Sequence, residues 1–284
     1  MTFRSRSEDF STRSQRKAPQ RVAIAGLGAI GIKVMQALDE GIAGLALSAV
    51  AVGNPGKRRP QLDRLSAQPQ VLPIAELEPA ADIVIECAPA KLFRSIVTPF
   101  VAKGKTAVVL SVGALLEHWD LVDLAKQSGA QIIVPTGALI GLDAVTAAAE
   151  GVIHSVRLVT RKPPASLVDA PYVVANKIGL ANLREPLKIF DGTAREAAKG
   201  FPANLNVGAA LSLAGVGPDR TMVEIWADPS VDRNMHAIEV DADSARFAMS
   251  MANVPSENPK TGRITALSVI ACLRKMNAPL RVGT

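Results

Sequence analysis

The chain is poor in the residues on which much chemistry and many small scaffolds depend. Two cysteines in 284 residues, Cys87 and Cys272, are too few for a disulfide framework or a four-cysteine zinc site; both are read as reduced, buried thiols. No H-E-x-x-H or similar ligand cluster occurs, so no metal is expected. Aromatic residues make up 4%, which leaves little material for stacking bases. The longest apolar runs, 45–52 and 107–112, fall far short of the ~20 residues of a membrane span. No signal-type apolar segment opens the chain, and the expectation is a soluble, cytoplasmic protein.

Net charge is +6, but it is unevenly spread, because Arg4, Arg6, Arg13, Arg16 and Lys17 are opposed only by Glu8 and Asp9 in the first twenty residues. Residues 1–20 are therefore expected to form a disordered basic tail with little to bury. A basic tail is not a basic groove, so neither nucleic acid nor a membrane is expected as a partner.

What the chain does have is apolar residues, 48% of the total, enough for two modest cores at this length. The first strand-like run, Val22 to Ala25, breaks into Gly26-Leu-Gly28-Ala29-Ile30-Gly31, and helical composition follows. Three glycines at this spacing, between a strand and a helix, match a dinucleotide-binding turn. Gly26 allows the tight turn, Gly28 lets the main chain approach a pyrophosphate, and Gly31 lets the helix pack closely on its strand. Free N–H groups at the helix start then face the anion.

Strand and helix continue to alternate up to about residue 135, with strands expected at 45–52, 82–87, 106–112 and 130–135 and helices at 91–103 and 115–128. This is the signature of a doubly wound parallel sheet, a Rossmann domain spanning 21–135. Ligands bind beyond the carboxyl ends of such strands, which puts Ala88, Pro89 and Asn54 at the dinucleotide. An NAD-preferring domain carries an acidic residue at the end of the second strand. Here Gly53-Asn54 stands there, followed by Lys57, Arg58 and Arg59, so the expectation leans to NADP or to use of both cofactors.

Beyond residue 136 the pattern changes. Strand-like runs at 152–160, 220–227, 236–240 and 245–251, with helices at 194–199 and from Pro202 to 213, suit an α+β domain (136–257) with a mostly antiparallel sheet. A last helix, capped by Asn258-Pro259 with Ile264, Leu267, Ile270 and Leu273 on one face, is expected to pack back on the first domain (258–284).

Three histidines are available. His118 is expected at the surface and His154 in a structural place on a strand. His236 reads two ways: it shares a strand face with Ile238 and Val240, as a core histidine would, and it lies at a strand end where a substrate would meet a nicotinamide, as an acid/base would. Asn204 and Asn206 either cap a helix or bind ligand. Arg161, Lys162, Arg220 and Lys260 are candidates for an acidic substrate or ordinary surface cations.

Taken together, the motifs resemble the L-aspartate dehydrogenase family from Arg21 to Leu273. The residues that carry the resemblance are Gly26 to Gly31, Ser111-Val-Gly-Ala-Leu115, Gly137-Ala138 with Gly141-Leu-Asp143, Thr160-Arg-Lys-Pro-Pro164, Ala194-Arg-Glu-Ala197, Phe201-Pro-Ala-Asn-Leu-Asn206, Ala227-Asp-Pro229, Asn234-Met-His236 and Asn258-Pro-Lys-Thr261. The resemblance implies NAD(P)-linked oxidation of L-aspartate to iminoaspartate, with His236 as acid/base, Ala138 and Asn206 at the cofactor, and a homodimer. Asp241-Ala-Asp-Ser244 replaces a glycine-containing stretch, the acidic ribose ligand is missing, and the basic tail is extra. Alternatives of other kinds are a related reductase of a semialdehyde or cyclic imine and a non-catalytic NADP sensor.

Overall fold

The structure, a computed structural model, describes residues 18–202, 205–257 and 262–283. Its first sheet is built from β1 (Gln20–Ala25), β2 (Leu45–Ala51), β3 (Gln70–Val71), β4 (Ile83–Glu86), β5 (Thr106–Val109) and β6 (Gln131–Ile133). All are parallel, in the order β3-β2-β1-β4-β5-β6. Between them run α1 (Ala29–Glu40), α2 (Pro55–Leu62), α3 (Leu77–Ala80), α4 (Phe93–Ala102), α5 (Val112–Glu117) and α6 (Asp120–Ser128). Helices on both faces bury the central strands completely, with Val22, Ala23, Ile24 and Ala25 all at 0% exposure, which is why these strands read as unbroken apolar runs. The order reverses between β1 and β4, opening a crevice at their carboxyl ends.

The second sheet has the order β11-β10-β7-β9-β8 and comprises β7 (Ile153–Lys162), β8 (Leu187–Thr193), β9 (Thr221–Ala227), β10 (Met235–Ala242) and β11 (Arg246–Ala252). The pairs are antiparallel except β7 with β9. One face packs in a common core with α7 (Leu142–Ala148), α8 (Pro171–Ala175), α9 (Ala194–Gly200) and α10 (Asn206–Ala214). The last helix, α11 (Arg263–Met276), returns to the first sheet, where Val269 and Leu273 join the core beneath α1.

Several local expectations are corrected. The strand at 106–112 ends at Val109, because the Glu86 carboxylate takes the N–H groups of Leu110 and Ser111 and turns the chain into α5. The helix at 115–128 is two helices, interrupted where His118 closes α5 and stacks on Phe93. Pro202 does not start a helix: Phe201, fully buried, closes α9, and α10 begins at Asn206. In α11 the buried stripe is Ala266, Val269 and Leu273, whereas Leu267 is 61% exposed and Ile264 also faces outward. His154 is exposed, and neither cysteine is fully buried. The tail to residue 17 and the expected cap at Asn258-Pro259 lie outside the described residues.

Candidate active site

The glycine turn behaves as its spacing requires. Gly26 has φ +99°, and a Cβ there would lie 2.6 Å from the Cys87 carbonyl oxygen. A Cβ on Gly31 would sit 2.0 Å from the carbonyl oxygen of Gly26. Gly28, by contrast, faces open space, and a Cβ there would meet no atom within 4 Å. The start of α1 has no side-chain cap and no acidic residue in its first turn, so its free N–H groups and positive end are left for an anion. These features fit a pyrophosphate. Gly28 and Gly31 should therefore separate in function: Gly31→Ala is expected to lower stability by about 1–3 kcal/mol, while Gly28→Ala leaves the urea midpoint unchanged and weakens dinucleotide binding roughly tenfold or more. Calorimetric titration beside urea unfolding reads both.

Gly26, Gly28, Ala29, Ile30, Asn54, Ala88 and Pro89 line one end of a trough, together with Lys57 and Arg58. Asn54 accepts the Lys57 N–H at 3.0 Å and so caps α2. Among the described residues its amide nitrogen has no partner and stays available to donate.

Ile30 also borders the second cleft, an open-mouthed cavity of about 130 Å³. Its wall brings Ala138, Asn206 and His236 together with Thr136, Asn234 and Lys162. Ser268 holds the N–H of Gly137, and the Asn253 amide donates to the Ala138 carbonyl, which fixes this loop from two sides. The Asn206 side-chain oxygen accepts the Gly113 N–H at 3.1 Å. Asn206 is thus both a helix cap for α5 and a wall of the cleft. Its amide nitrogen is free among the described residues.

His236 is 4% exposed on β10 and sits directly across from Thr160 on β7. The Thr160 hydroxyl lies 2.9 Å from Nδ1. That contact leaves Nε2 as the ring atom without a partner among the described residues. Burial, and after it the charge of Lys162, pushes the imidazole down to about 3, so the ring is neutral at physiological pH.

Lys162 is the residue whose importance the sequence conceals. On β7 it lies two positions from Thr160, on the same buried face, and it is 3% exposed. No carboxylate pairs with it among the described residues, and burial pushes its amine down to about 8. Its neighbours behave differently. Arg161 points the other way, pairing with Asp228 at 3.0 Å and lying over Trp226, and Arg220 donates to the Ile153 carbonyl. Asn204 and Lys260 lie outside the described residues.

Below the cleft, Glu86 is completely buried and accepts the Leu110 N–H, the Ser111 N–H and the Ser111 hydroxyl. Burial outweighs these donors and raises its carboxyl above the ordinary range. It fixes the turn behind the cleft, a role that a glutamate at the end of an apolar strand could have signalled.

A doubly wound sheet with a glycine turn at its crevice, continuing into a cleft walled by a second sheet, places the chain among the NAD(P)-dependent oxidoreductases. A family profile described as "Homoserine dehydrogenase, NAD binding domain" matches residues 26–135, and one described as "Aspartate dehydrogenase, C-terminal" matches residues 143–276. The chain is 67% identical to an L-aspartate dehydrogenase of Bradyrhizobium diazoefficiens, covering 93% of this chain and 94% of that one. It is 55% identical to L-aspartate dehydrogenase 3 of Bordetella bronchiseptica, over 93% and 97%. The chain belongs to the L-aspartate dehydrogenase family. The crystal structure of the Thermotoga maritima aspartate dehydrogenase superposes with a TM-score of 0.70 at 24% identity, covering 93% of this chain and 99% of that one, a likeness of fold. Among the described residues no helix is long and apolar enough to cross a membrane, and no cluster of side chains is suited to a metal ion.

Proposed function

We propose that this chain oxidises L-aspartate to iminoaspartate, with His236 as the acid/base and with the cofactor along the trough from Gly28 to Asn206. The observation that carries this reading is a neutral, buried imidazole tied at Nδ1 to Thr160, in the same cleft as Asn206 and Lys162, with Nε2 and the Lys162 amine without partners among the described residues. The nicotinamide, when bound, supplies the hydride acceptor. Ala138 and Asn206 hold it against the cleft, and the uncapped end of α1 holds the pyrophosphate. The Nε2 lone pair of His236 takes a proton from the substrate ammonium group as the Cα–H leaves with its electron pair, giving the imine. The same nitrogen then guides water to the imine carbon, and oxaloacetate and ammonia form. Alternatively, the imine leaves for the assembly of pyridine nucleotides. Asn204 and Lys260 complete our candidate substrate contacts.

The test is the absorbance of reduced nicotinamide, with L-aspartate and NAD or NADP in one direction and oxaloacetate, ammonia and reduced cofactor in the other. Tight cofactor binding with no turnover of either pair would replace this reading by that of a sensor or of a different reductase.

We also infer a preference for NADP or dual use, supported by Lys57 and Arg58 at the mouth of the trough and by the absence of an acidic residue at Asn54. Replacing both cations by alanine is expected to raise KM for NADP roughly tenfold and to move that for NAD less than twofold. Equal effects on both cofactors would remove the 2′-phosphate from the argument. We further read the chain as two lobes, 21–135 and 136–257, the final segment from 258 returning to the first. We read it as a cytoplasmic homodimer joined through the second sheet, whose outer face exposes Arg157, Met222 and Glu239. Sedimentation of the purified protein gives the subunit number.

A further inference from the structure

We propose that Lys162 is the anchor for a substrate carboxylate and that this pairing also arms His236. The inference rests on the aspartate reading above and adds to it a residue and a coupling.

Three observations carry it. Lys162 ends β7 on the face that carries Thr160, so its amine enters the cleft at the strand terminus nearest His236. It is almost fully buried, yet no carboxylate meets it among the described residues, while the adjacent Arg161 has found Asp228 on the opposite face. A buried cation with no counter-charge is a costly arrangement, and an anion entering the cleft relieves it. The free amide nitrogen of Asn206, on the same wall, adds a second donor for that anion or for the cofactor.

The coupling follows from the same geometry. Lys162 and His236 line the same cleft, and the charge of Lys162 adds to burial in disfavouring the protonated imidazole. A carboxylate seated on Lys162 cancels that charge, and the affinity of Nε2 for a proton rises. The base therefore strengthens when an acidic substrate is in place. Ligands without a carboxylate leave it weak, which links recognition to chemistry through one side chain.

The experiment uses the full chain with Lys162→Met, which fills the same slot without charge, and Lys162→Arg, which keeps the charge. KM for L-aspartate is measured together with inhibition by succinate, a dicarboxylate that cannot react, and with NADP affinity. In Lys162→Met, KM and the succinate inhibition constant are expected to rise at least ~30-fold, NADP affinity to stay within about twofold, and kcat to fall less than KM rises. Lys162→Arg should recover part of the succinate binding. Wild-type KM and succinate inhibition in Lys162→Met would overturn the proposal, as would a defect confined to kcat, which would make Lys162 a proton carrier. A wild-type protein that turns over aspartate beside an unaffected variant would refute this inference alone. A wild-type protein that turns over no amino or oxo diacid would remove the aspartate reading and the anchor with it.

Discussion

His236→Ala is expected to lower kcat for aspartate oxidation by roughly 10²–10⁴-fold, the usual span for loss of a general acid/base, with dinucleotide affinity kept within about twofold. The pyrophosphate end of the trough, from Gly26 to Ala29, shares no wall residue with His236, so the chemistry should fail without the cofactor site failing. Alanine also strands the Thr160 hydroxyl, which is fully buried. His236→Asn is the companion variant, because its short amide gives that hydroxyl a partner while removing Nε2. Both variants should lose turnover, and only the first should lose stability. Because the imidazole of the free enzyme stays neutral down to about 3, the pH profile of kcat/KM should show no acid limb from His236 between pH 5 and 8. Full activity in His236→Asn would return the residue to the core.

The second large effect is on stability. In the folded chain the Lys162 amine is pushed from 10.5 down to about 8. Below about pH 8 the amine is protonated in both states, and the folded state carries the whole penalty of burying it. Between about 8 and 10.5 the unfolded chain still binds the proton that the folded chain has lost, so stability rises with pH across that window. At about 1.4 kcal/mol for each tenfold change in proton affinity, the penalty at neutral pH is ~3 kcal/mol. Lys162→Met should therefore be more stable than the parent by up to that amount at pH 7, with the advantage fading as the pH approaches 10.5.

His236 adds the acid side of the curve. Its proton affinity is depressed by folding from 6.5 to about 3, so stability present above pH 6.5 is lost as the pH falls toward 3. Lys162 and His236 line the same cleft, while Asp228, just past β9, is bonded to Ser230 and Arg161. Urea midpoints across pH 5 to 10 measure the difference. A constant gap between variant and parent would mean that Lys162 has a counter-charge in solution.

The first sheet was legible because parallel strands covered on both faces announce themselves as apolar runs, and the glycine turn fixes where they point. The edge strand β8 was not: Lys188, Asp191 and Gly192 give it the composition of a loop, which is how edges avoid pairing with other chains. The parallel pairing of β7 with β9 depends on a crossover that no local pattern records. At the candidate site, the glycines could be named from spacing, and Asn206 and His236 from the resemblance to the family. The Thr160 contact could not, since it joins strands 76 residues apart. Lys162 was one of four equivalent cations in the sequence. The signal that separates it from Arg161 is alternation along β7, which places Val156, Leu158, Thr160 and Lys162 together on the buried side. Alternation assigns a face, and the covering helices decide what that face touches.

The short helix α5 has two allegiances. Val112 and Leu116 belong to the core of the second sheet, Ala114 and Leu115 to that of the first, and its opening N–H is held by Asn206. It works as a dowel set into both walls, so its thickness fixes the width of the gap between them. On the function proposed above, the cofactor and His236 would be kept in register by this shared helix. Discrimination among substrates falls to what can enter a slot of preset width.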